Sequence, residues 1–214
     1  VKKYKNALKF ADNKLKADKD IVFTAIKKSW EALQYADKKL KADKAFMLSV
    51  LEELESYIEM NDVDKKLKAD KEFMLRAIQC LTGDVLQHAD KKLQADKEVV
   101  LAAVKEGGFL RYVDKKFKAN KEVVLIAVKQ DGNALCHANK KLQADKEVVL
   151  AAVKKHGRAL LCADKKLKAD KDIVLEAIKL GGRFLEYADK KLKADKGFIL
   201  RAIQCASGAV LQHA

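Results

Sequence analysis

One eight-residue segment recurs along the chain at intervals of about 25 residues. In its commonest form, Asp-Lys-Lys-Leu-Lys-Ala-Asp-Lys, it starts at Asp12, Asp37, Asp64, Asp90, Asp114, Asn139, Asp164 and Asp189. Such a spacing indicates a repeat architecture, in which each unit buries its apolar face against its neighbours. We number the eight repeats one to eight: 11–35, 36–62, 63–88, 89–112, 113–137, 138–162, 163–187 and 188–213. Residues 1–10 match the end of a preceding repeat and residue 214 the start of another, so we expect a longer array.

Repeat seven predicts two short antiparallel helices joined by tight turns. Asp170 precedes an apolar-periodic segment and is expected to cap its N-terminus. Gly181 and Gly182 are expected to end this helix in a conformation with positive φ, and a shorter helix should begin near Arg183. The apolar face of the first helix is formed by Ile173, Val174, Ala177 and Ile178. Because such short helices are marginal alone, the sequence predicts an all-α fold, an α-helical solenoid of about eight two-helix repeats of 24–27 residues.

Composition excludes several other classes of protein. Charged residues make up 36% and hydrophobic residues 49% of the chain, which is typical of neither a disordered segment nor a membrane span. Four cysteines in 214 residues are too few for a disulfide scaffold. We therefore expect Cys80 and Cys205 to be free thiols, and a reducing intracellular compartment rather than secretion.

The repeats also carry a recognisable motif. Its parts are an aromatic-Ala pair, a Leu, Asp-Lys-Glu, Val-Val-Leu, Ala-Val and Gly, as in Tyr187-Ala188, Leu192, Asp96-Lys97-Glu98, Val99-Val100-Leu101, Ala103-Val104 and Gly107. Over nearly the whole chain this pattern resembles an uncharacterised short helical-repeat family of bacteria and protists, a domain of unknown function numbered forty-one sixteen. The resemblance implies a helical-repeat fold and no particular activity. Trp30 departs from it by occupying the Gly position of repeat one, and repeat two has no Gly.

The recurring segments hold the excess positive charge. They contain 29 Lys and 14 Asp, against a net charge of +14 for the chain. Equivalent positions of a solenoid line up along one edge, so we predict a lysine-rich ridge. Its representative members are Lys38, Lys39, Lys41, Lys65, Lys66, Lys68, Lys165, Lys166, Lys168, Lys190, Lys191 and Lys193.

Two interpretations of this ridge stay open. It is either a solvated surface that keeps a long array soluble or a binding track for an acidic partner. Such a partner could be a protein, RNA, DNA or an anionic lipid surface. Nucleic acid is the weaker option, because readers of nucleic acid favour Arg and stacking aromatics, and both are scarce in the segments.

Repeat two is irregular, because its stretch 51–62 (LEELESYIEMND) is acidic where the other repeats are basic. One interpretation is a divergent repeat that bends the stack. The other is a contact point for a protein partner, since Trp and Tyr are favoured at binding hot spots. The candidate partner-binding residues are Trp30, Glu52, Glu53, Glu55, Tyr57, Ile58 and Met60.

The sequence suggests no catalytic, cofactor or metal site. Cysteine, histidine and tyrosine recur at the last position of the second helix, where we expect packing at the seam between repeats: Tyr35, His88, Tyr112, His137, Cys162, Tyr187 and His213. His156 is expected to be an exposed turn residue. The predicted function is a non-enzymatic scaffold that mediates protein–protein interaction in a larger assembly, and the alternative is a polyanion binder.

Overall fold

The computed structural model describes residues 7–54, 59–107 and 110–211, with side chains except at residues 54 and 207–211. All regular elements in these ranges are α-helices or 3-10 helices, which confirms the predicted all-α repeat fold. The chain forms two compact units, residues 1–106 and 107–214. No helix within the described ranges is long and apolar enough to cross a membrane.

Within the described residues, repeats one to seven each contain three helical pieces rather than the two that the sequence predicted. The longest piece is an α-helix, at Lys19–Lys28, Lys44–Leu54, Lys71–Cys80, Lys97–Lys105, Lys121–Gln130, Lys146–Lys155, Lys171–Leu180 and Lys196–Leu211. A 3-10 helix follows, at Trp30–Tyr35, Met60–Asp62, Gly83–His88, Leu110–Tyr112, Gly132–His137, Gly157–Cys162 and Gly182–Tyr187. A one-turn α-helix leads into each long helix, at Asn13–Lys16, Lys38–Ala42, Lys65–Lys68, Lys91–Gln94, Lys115–Lys118, Lys140–Gln143, Lys165–Lys168 and Lys190–Ala194. A further short helix, Ala7–Phe10, precedes repeat one.

The two aspartates of the recurring segment explain why two helices start within eight residues. Asp164 Oδ1 accepts a hydrogen bond from the backbone N–H of Lys166 at 2.9 Å and so caps the one-turn helix. Asp170 Oδ1 accepts from the N–H groups of Asp172 and Ile173 at 3.0 and 3.2 Å, which confirms it as the N-cap of the long helix. Each carboxylate satisfies donors that a helix N-terminus leaves without a partner.

The core lies along the apolar faces that the sequence predicted. Ile173, Val174, Ala177 and Ile178 are at most 2% exposed. In each unit the long helix of one repeat packs against that of the next, as Lys121–Gln130 does on Lys146–Lys155 and Lys146–Lys155 on Lys171–Leu180. Repeat-by-repeat packing of this kind is the defining arrangement of a solenoid.

The glycines end the long helices for a reason other than the predicted one. Gly181 has φ of 161°, which is extended backbone that any residue can adopt, so the expected left-handed conformation that requires glycine does not occur there. Gly132 is instead required by close packing, because a Cβ on it would overlap the carbonyl oxygen of Ala152 in the next repeat. A Cβ on Gly157 would likewise overlap the ring of Phe184.

Candidate functional site

The lysines of the recurring segment occupy three different environments. Those at its second and third positions are exposed at the surface. We call these the exposed lysine pairs: Lys38 and Lys39, Lys65 and Lys66, Lys91 and Lys92 in the first unit, and Lys115 and Lys116, Lys140 and Lys141, Lys165 and Lys166, Lys190 and Lys191 in the second. Repeat one has Asn13 and Lys14 at these positions.

The lysine at the fifth position turns inward toward the preceding 3-10 helix. Lys168 Nζ donates to the carbonyl oxygen of Leu161 at 2.7 Å, and Lys41 Nζ donates to that of Gln34 at 2.7 Å. Lys193 makes the equivalent bond to Glu186. Burial lowers the pKa of the half-buried Lys41, Lys68 and Lys168.

The ridge prediction is therefore wrong for Lys41, Lys68 and Lys168, which are half-buried, while Lys193 is exposed but engaged by the backbone. A neutral side chain can fill the same position. Gln143 is only 6% exposed and its Nε2 donates to the carbonyl oxygen of Leu135 at 3.0 Å.

The lysine at the eighth position pairs with the next repeat. Lys121 Nζ lies 2.7 Å from Asp145 Oδ2, and Lys146 Nζ lies 2.7 Å from Asp170 Oδ2. Each of these aspartates uses its other oxygen to cap its own long helix. We call the series the capping ladder: Lys19–Asp43, Lys44–Asp70 and Lys71–Asp96 in the first unit, and Lys121–Asp145, Lys146–Asp170 and Lys171–Asp195 in the second.

The capping ladder shifts the pKa values of both partners. The hydrogen bond from Lys121 lowers the pKa of Asp145, and the hydrogen bonds to Asp145 and Glu147 raise the pKa of Lys121. At Asp170, burial favours the neutral carboxyl, but Lys146 and the helix N–H groups outweigh it, so the pKa is lowered. The ladder aspartates are thus held as carboxylates at neutral pH.

A backbone contact joins adjacent repeats at the first residue of the segment. The N–H of Asn139 donates to the carbonyl oxygen of Lys118 at 2.8 Å, and that of Asp189 donates to Lys168 at 2.9 Å. In the first unit Asp37 donates to Lys16 in the same way. The recurring segment therefore builds the fold through its caps, ladder and backbone contacts, and the side chains of the exposed lysine pairs described here take no part in these three kinds of contact.

A family comparison agrees with this architecture. The sequence profile of the domain of unknown function DUF4116 matches residues 1–41, 70–118, 96–143, 120–168, 145–193 and 170–214. The chain belongs to the DUF4116 family. Neither a comparison with curated proteins nor one with solved structures gave a match. The DUF4116 matches leave out residues 42–69, a stretch that includes the irregular part of repeat two.

The candidate partner-binding residues around DUF4116 repeat two have mixed environments. Trp30 is half-buried at the start of a 3-10 helix. Glu52 pairs with Arg76 of the next repeat at 3.1 Å, and Glu53 pairs with Lys27 of the preceding one at 2.7 Å. Met60 is 3% exposed, so it belongs to the core and is unavailable to a partner. Glu55, Tyr57 and Ile58 lie outside the described residues.

The predicted seam positions are mostly half-buried, as expected of packing residues. Tyr35, His88, Tyr112, Cys162 and Tyr187 are half-buried, His137 is exposed, and His213 lies outside the described residues. Burial lowers the pKa of His88. Among the described residues, no group of three or more His, Cys, Asp or Glu side chains is arranged to hold a metal ion.

A disulfide bond between neighbouring repeats was not predicted. Cys136 and Cys162 are bonded, with Cα atoms 5.0 Å apart and a separation of 26 positions in sequence. An alignment of the repeats does not reveal this pair, because the two cysteines occupy different positions of the repeat. Cys136 aligns with Leu161, and Cys162 aligns with His137. Disulfides persist in oxidising environments, so this bond weighs against the expectation of a reducing compartment. Cys80 and Cys205 are free, as predicted.

Thiol titration of the unfolded protein tests this cysteine assignment. Without reductant we expect two reactive thiols, Cys80 and Cys205, and with reductant all four. A Cys136→Ser variant is the matched control and should show three thiols without reductant, because Cys162 loses its partner. Four thiols in the oxidised wild-type protein would contradict the disulfide.

Proposed function

We propose that this DUF4116 chain is a non-enzymatic scaffold that presents its exposed lysine pairs to the acidic surface of another protein. The proposal rests on one observation. In the recurring segment the fifth and eighth positions serve the fold, whereas the second and third remain exposed in repeat after repeat. Solenoids commonly bind partners over long surfaces that such repetition creates, and a subunit or linker of a larger assembly needs a surface of this kind.

The kind of cation favours a protein partner over a nucleic acid. The exposed pairs are lysines, which act as point charges and do not form the planar, two-pronged contacts that Arg makes with bases and phosphates. Carboxylates also interrupt the positive surface, since Glu72, Glu98 and Glu147 have side chains that are about two-thirds exposed or more. A polyanion binder acting on a nucleic-acid backbone or an anionic membrane is the alternative.

Charge removal from the exposed lysine pairs tests the proposal. The variant carries Gln at six positions of the second unit: Lys140, Lys141, Lys165, Lys166, Lys190 and Lys191. We expect it to lose, by about tenfold or more, the protein that co-purifies with the tagged wild-type chain from its own cells after nuclease treatment. A variant with Arg at the same six positions keeps the charge and should retain that protein.

Other outcomes of this experiment decide against the proposal. If the Gln variant retains every bound protein, the exposed lysine pairs do not form the interface. If nuclease treatment releases all bound material, or if the wild-type chain sediments with anionic vesicles and the Gln variant does not, the polyanion alternative is correct. The slope of log affinity against log salt concentration then reports how many phosphates or headgroups are neutralised.

A further inference from the structure

A groove in the second unit lies between the 3-10 helices of repeats six and seven. It has a volume of about 450 Å³, and its walls include Lys155, His156, Arg158, Phe184 and Tyr187. This volume is within the usual range of ligand-binding sites. The groove is separate from the exposed lysine pairs, which belong to the one-turn α-helices.

The groove includes residue types that most other repeats do not have at the same positions. Arg158 and Arg183 follow the glycines that begin two successive 3-10 helices, where repeat five has Asn133. Phe184 stands where repeats five and six have Ala134 and Ala159. A binding site requires different groups to converge at one place, and a strict repeat template cannot supply them. Different groups do converge in this groove, which distinguishes it from the contacts between other repeats, where the same residue types recur.

Neighbouring residues hold the groove's side chains in place. The guanidinium carbon of Arg183 lies 5.0 Å from the ring centroid of Phe184, and Phe184 stacks on Tyr187 at 6.3 Å. The Phe184 ring can lie against Gly157 only because that residue has no side chain.

The opposite wall is positioned from repeat five. Nδ1 of His156 lies 2.8 Å from Asp131 Oδ1. The side-chain amide of Asn133 donates to the same oxygen at 3.0 Å. His156 is thus an exposed turn residue, as predicted, but one whose ring is fixed by a carboxylate of the preceding repeat.

The charge of the groove favours an acidic ligand. Among the described lining residues, Lys155, Arg158 and Arg183 are cationic and Glu186 is the one carboxylate, while Asp131 is paired with His156 of the lining. Hydrogen bonding to Glu186 raises the pKa of the Tyr187 phenol. Beside these cations Leu180 is 51% exposed, which provides an apolar contact for a neighbouring side chain of the ligand.

We propose that this groove binds an acidic segment of a partner protein, with a carboxylate on Arg158 and Arg183 and an apolar side chain on Leu180. This inference rests on the proposed scaffold function and names the place where the partner's chain docks. Arg and Tyr are over-represented among residues that dominate protein interfaces, and Arg pairs with carboxylates through two parallel hydrogen bonds. The exposed leucine favours a peptide over a purely ionic ligand.

Fluorescence anisotropy with two labelled peptides tests the groove. One peptide consists of Glu-Glu-Leu triplets, and the other of the same number of Glu-Glu-Ser triplets. We expect the wild-type protein to bind the first more tightly. The double variant Arg158→Gln/Arg183→Gln should bind the first peptide about tenfold more weakly. The matched control, Lys105→Gln/Lys129→Gln, removes the same charge from exposed positions outside both the groove and the exposed lysine pairs and should weaken binding by less than about threefold.

The remaining outcomes would overturn the groove assignment. Equal losses in the double variant and its control would show that the peptide is attracted by the general positive charge of the protein and not bound in the groove. No binding of the Glu-Glu-Leu peptide, or equal affinity for both peptides, would exclude the groove as a peptide site while leaving the co-purification test of the scaffold function standing. Tighter binding of ATP than of the peptide, lost in the double variant, would reassign the groove to a small anion. Arg158 and Arg183 are exposed, so an unchanged melting curve can verify that the double variant is folded.

Discussion

Replacing Gly132 with Ala is expected to destabilise the second unit by about 1–3 kcal/mol, the usual cost of overpacking. The added Cβ would overlap the carbonyl oxygen of Ala152 and lie 3.0 Å from the backbone nitrogen of His156. Both belong to the next repeat, and a backbone neighbour cannot swing aside as a side chain can. Repeats five and six would have to separate. Urea unfolding and hydrogen exchange of the helix Lys146–Lys155 measure the effect.

Gly182 provides the matched control for this prediction. It is the first residue of the 3-10 helix in repeat seven, as Gly132 is in repeat five. Among the residues whose side chains the structure describes, a Cβ on Gly182 would meet only the Cβ of Ala206, at 3.8 Å, which is an ordinary contact. Gly182→Ala should be neutral or stabilise the unit by up to about 1 kcal/mol through the unfolded chain. Equal destabilisation by both substitutions would show that backbone conformation, and not close packing, requires glycine here.

The same packing argument links the two irregular repeats. Trp30 occupies in repeat one the position that admits no side chain at Gly132. The repeat that follows Trp30 also has no Gly, is longer, and lies mostly in the stretch without a family match. We infer that a large residue at this position requires a different neighbour, so that the two departures from the template depend on each other.

Local rules explain what the sequence could predict about the fold. The cap at Asp170 and the buried face of Ile173 and Ile178 depend on residues within one or two helical turns, so they were visible in a single repeat. The 3-10 helix Gly182–Tyr187 was not, because apolar spacing over six residues does not distinguish it from a short α-helix. Where a glycine is required depends on the next repeat, which no local pattern describes.

The predicted lysine-rich ridge shows why the sequence could not identify which lysines of the candidate site are exposed. Lys165, Lys166 and Lys168 are the same residue type within four positions, so composition and spacing treat them alike. Only Lys168 lies within reach of the Leu161 carbonyl oxygen. The groove residues Arg158 and Arg183 were overlooked for the opposite reason. A comparison of the repeats brings out residues that recur throughout the chain, whereas arginine stands at this position only in repeats six and seven. Marking departures from the template in every repeat, as for repeat two, would have revealed them.

Replacing Asp145 with Ala is expected to cost about 1–2 kcal/mol, the usual cost of losing an N-cap. Its Oδ1 accepts from the N–H groups of Glu147 and Val148 at 3.0 and 3.2 Å, and its Oδ2 accepts from Lys121 at 2.7 Å. Alanine removes all three bonds and leaves the start of the long helix without side-chain acceptors. The measurement is the free energy of unfolding of the variant relative to the wild-type protein at neutral pH.

Replacing Asp145 with Asn keeps the cap but removes the ladder interaction, so it should destabilise the protein less than Asp145→Ala does. Asn120 shows that an amide oxygen can cap a long helix, since it accepts from the N–H of Val123 at 3.1 Å. The Asn variant therefore keeps the cap but loses both the negative charge and the acceptor for Lys121, because its second side-chain atom is an NH2 donor. Because the pKa of Asp145 is lowered in the folded state, this charge stabilises the protein at pH values above about 4, the unfolded value, and ceases to do so as the pH falls through the lowered pKa. The difference between wild type and Asn variant should consequently shrink to nothing in acid, while the loss caused by Ala persists. Equal losses for Asn and Ala at neutral pH would show that the interaction with Lys121, and not the cap, accounts for the stabilisation. No loss in the Asn variant, or a difference between wild type and Asn variant that does not vary with pH, would show that the ladder contributes no charge interaction and that the cap alone matters.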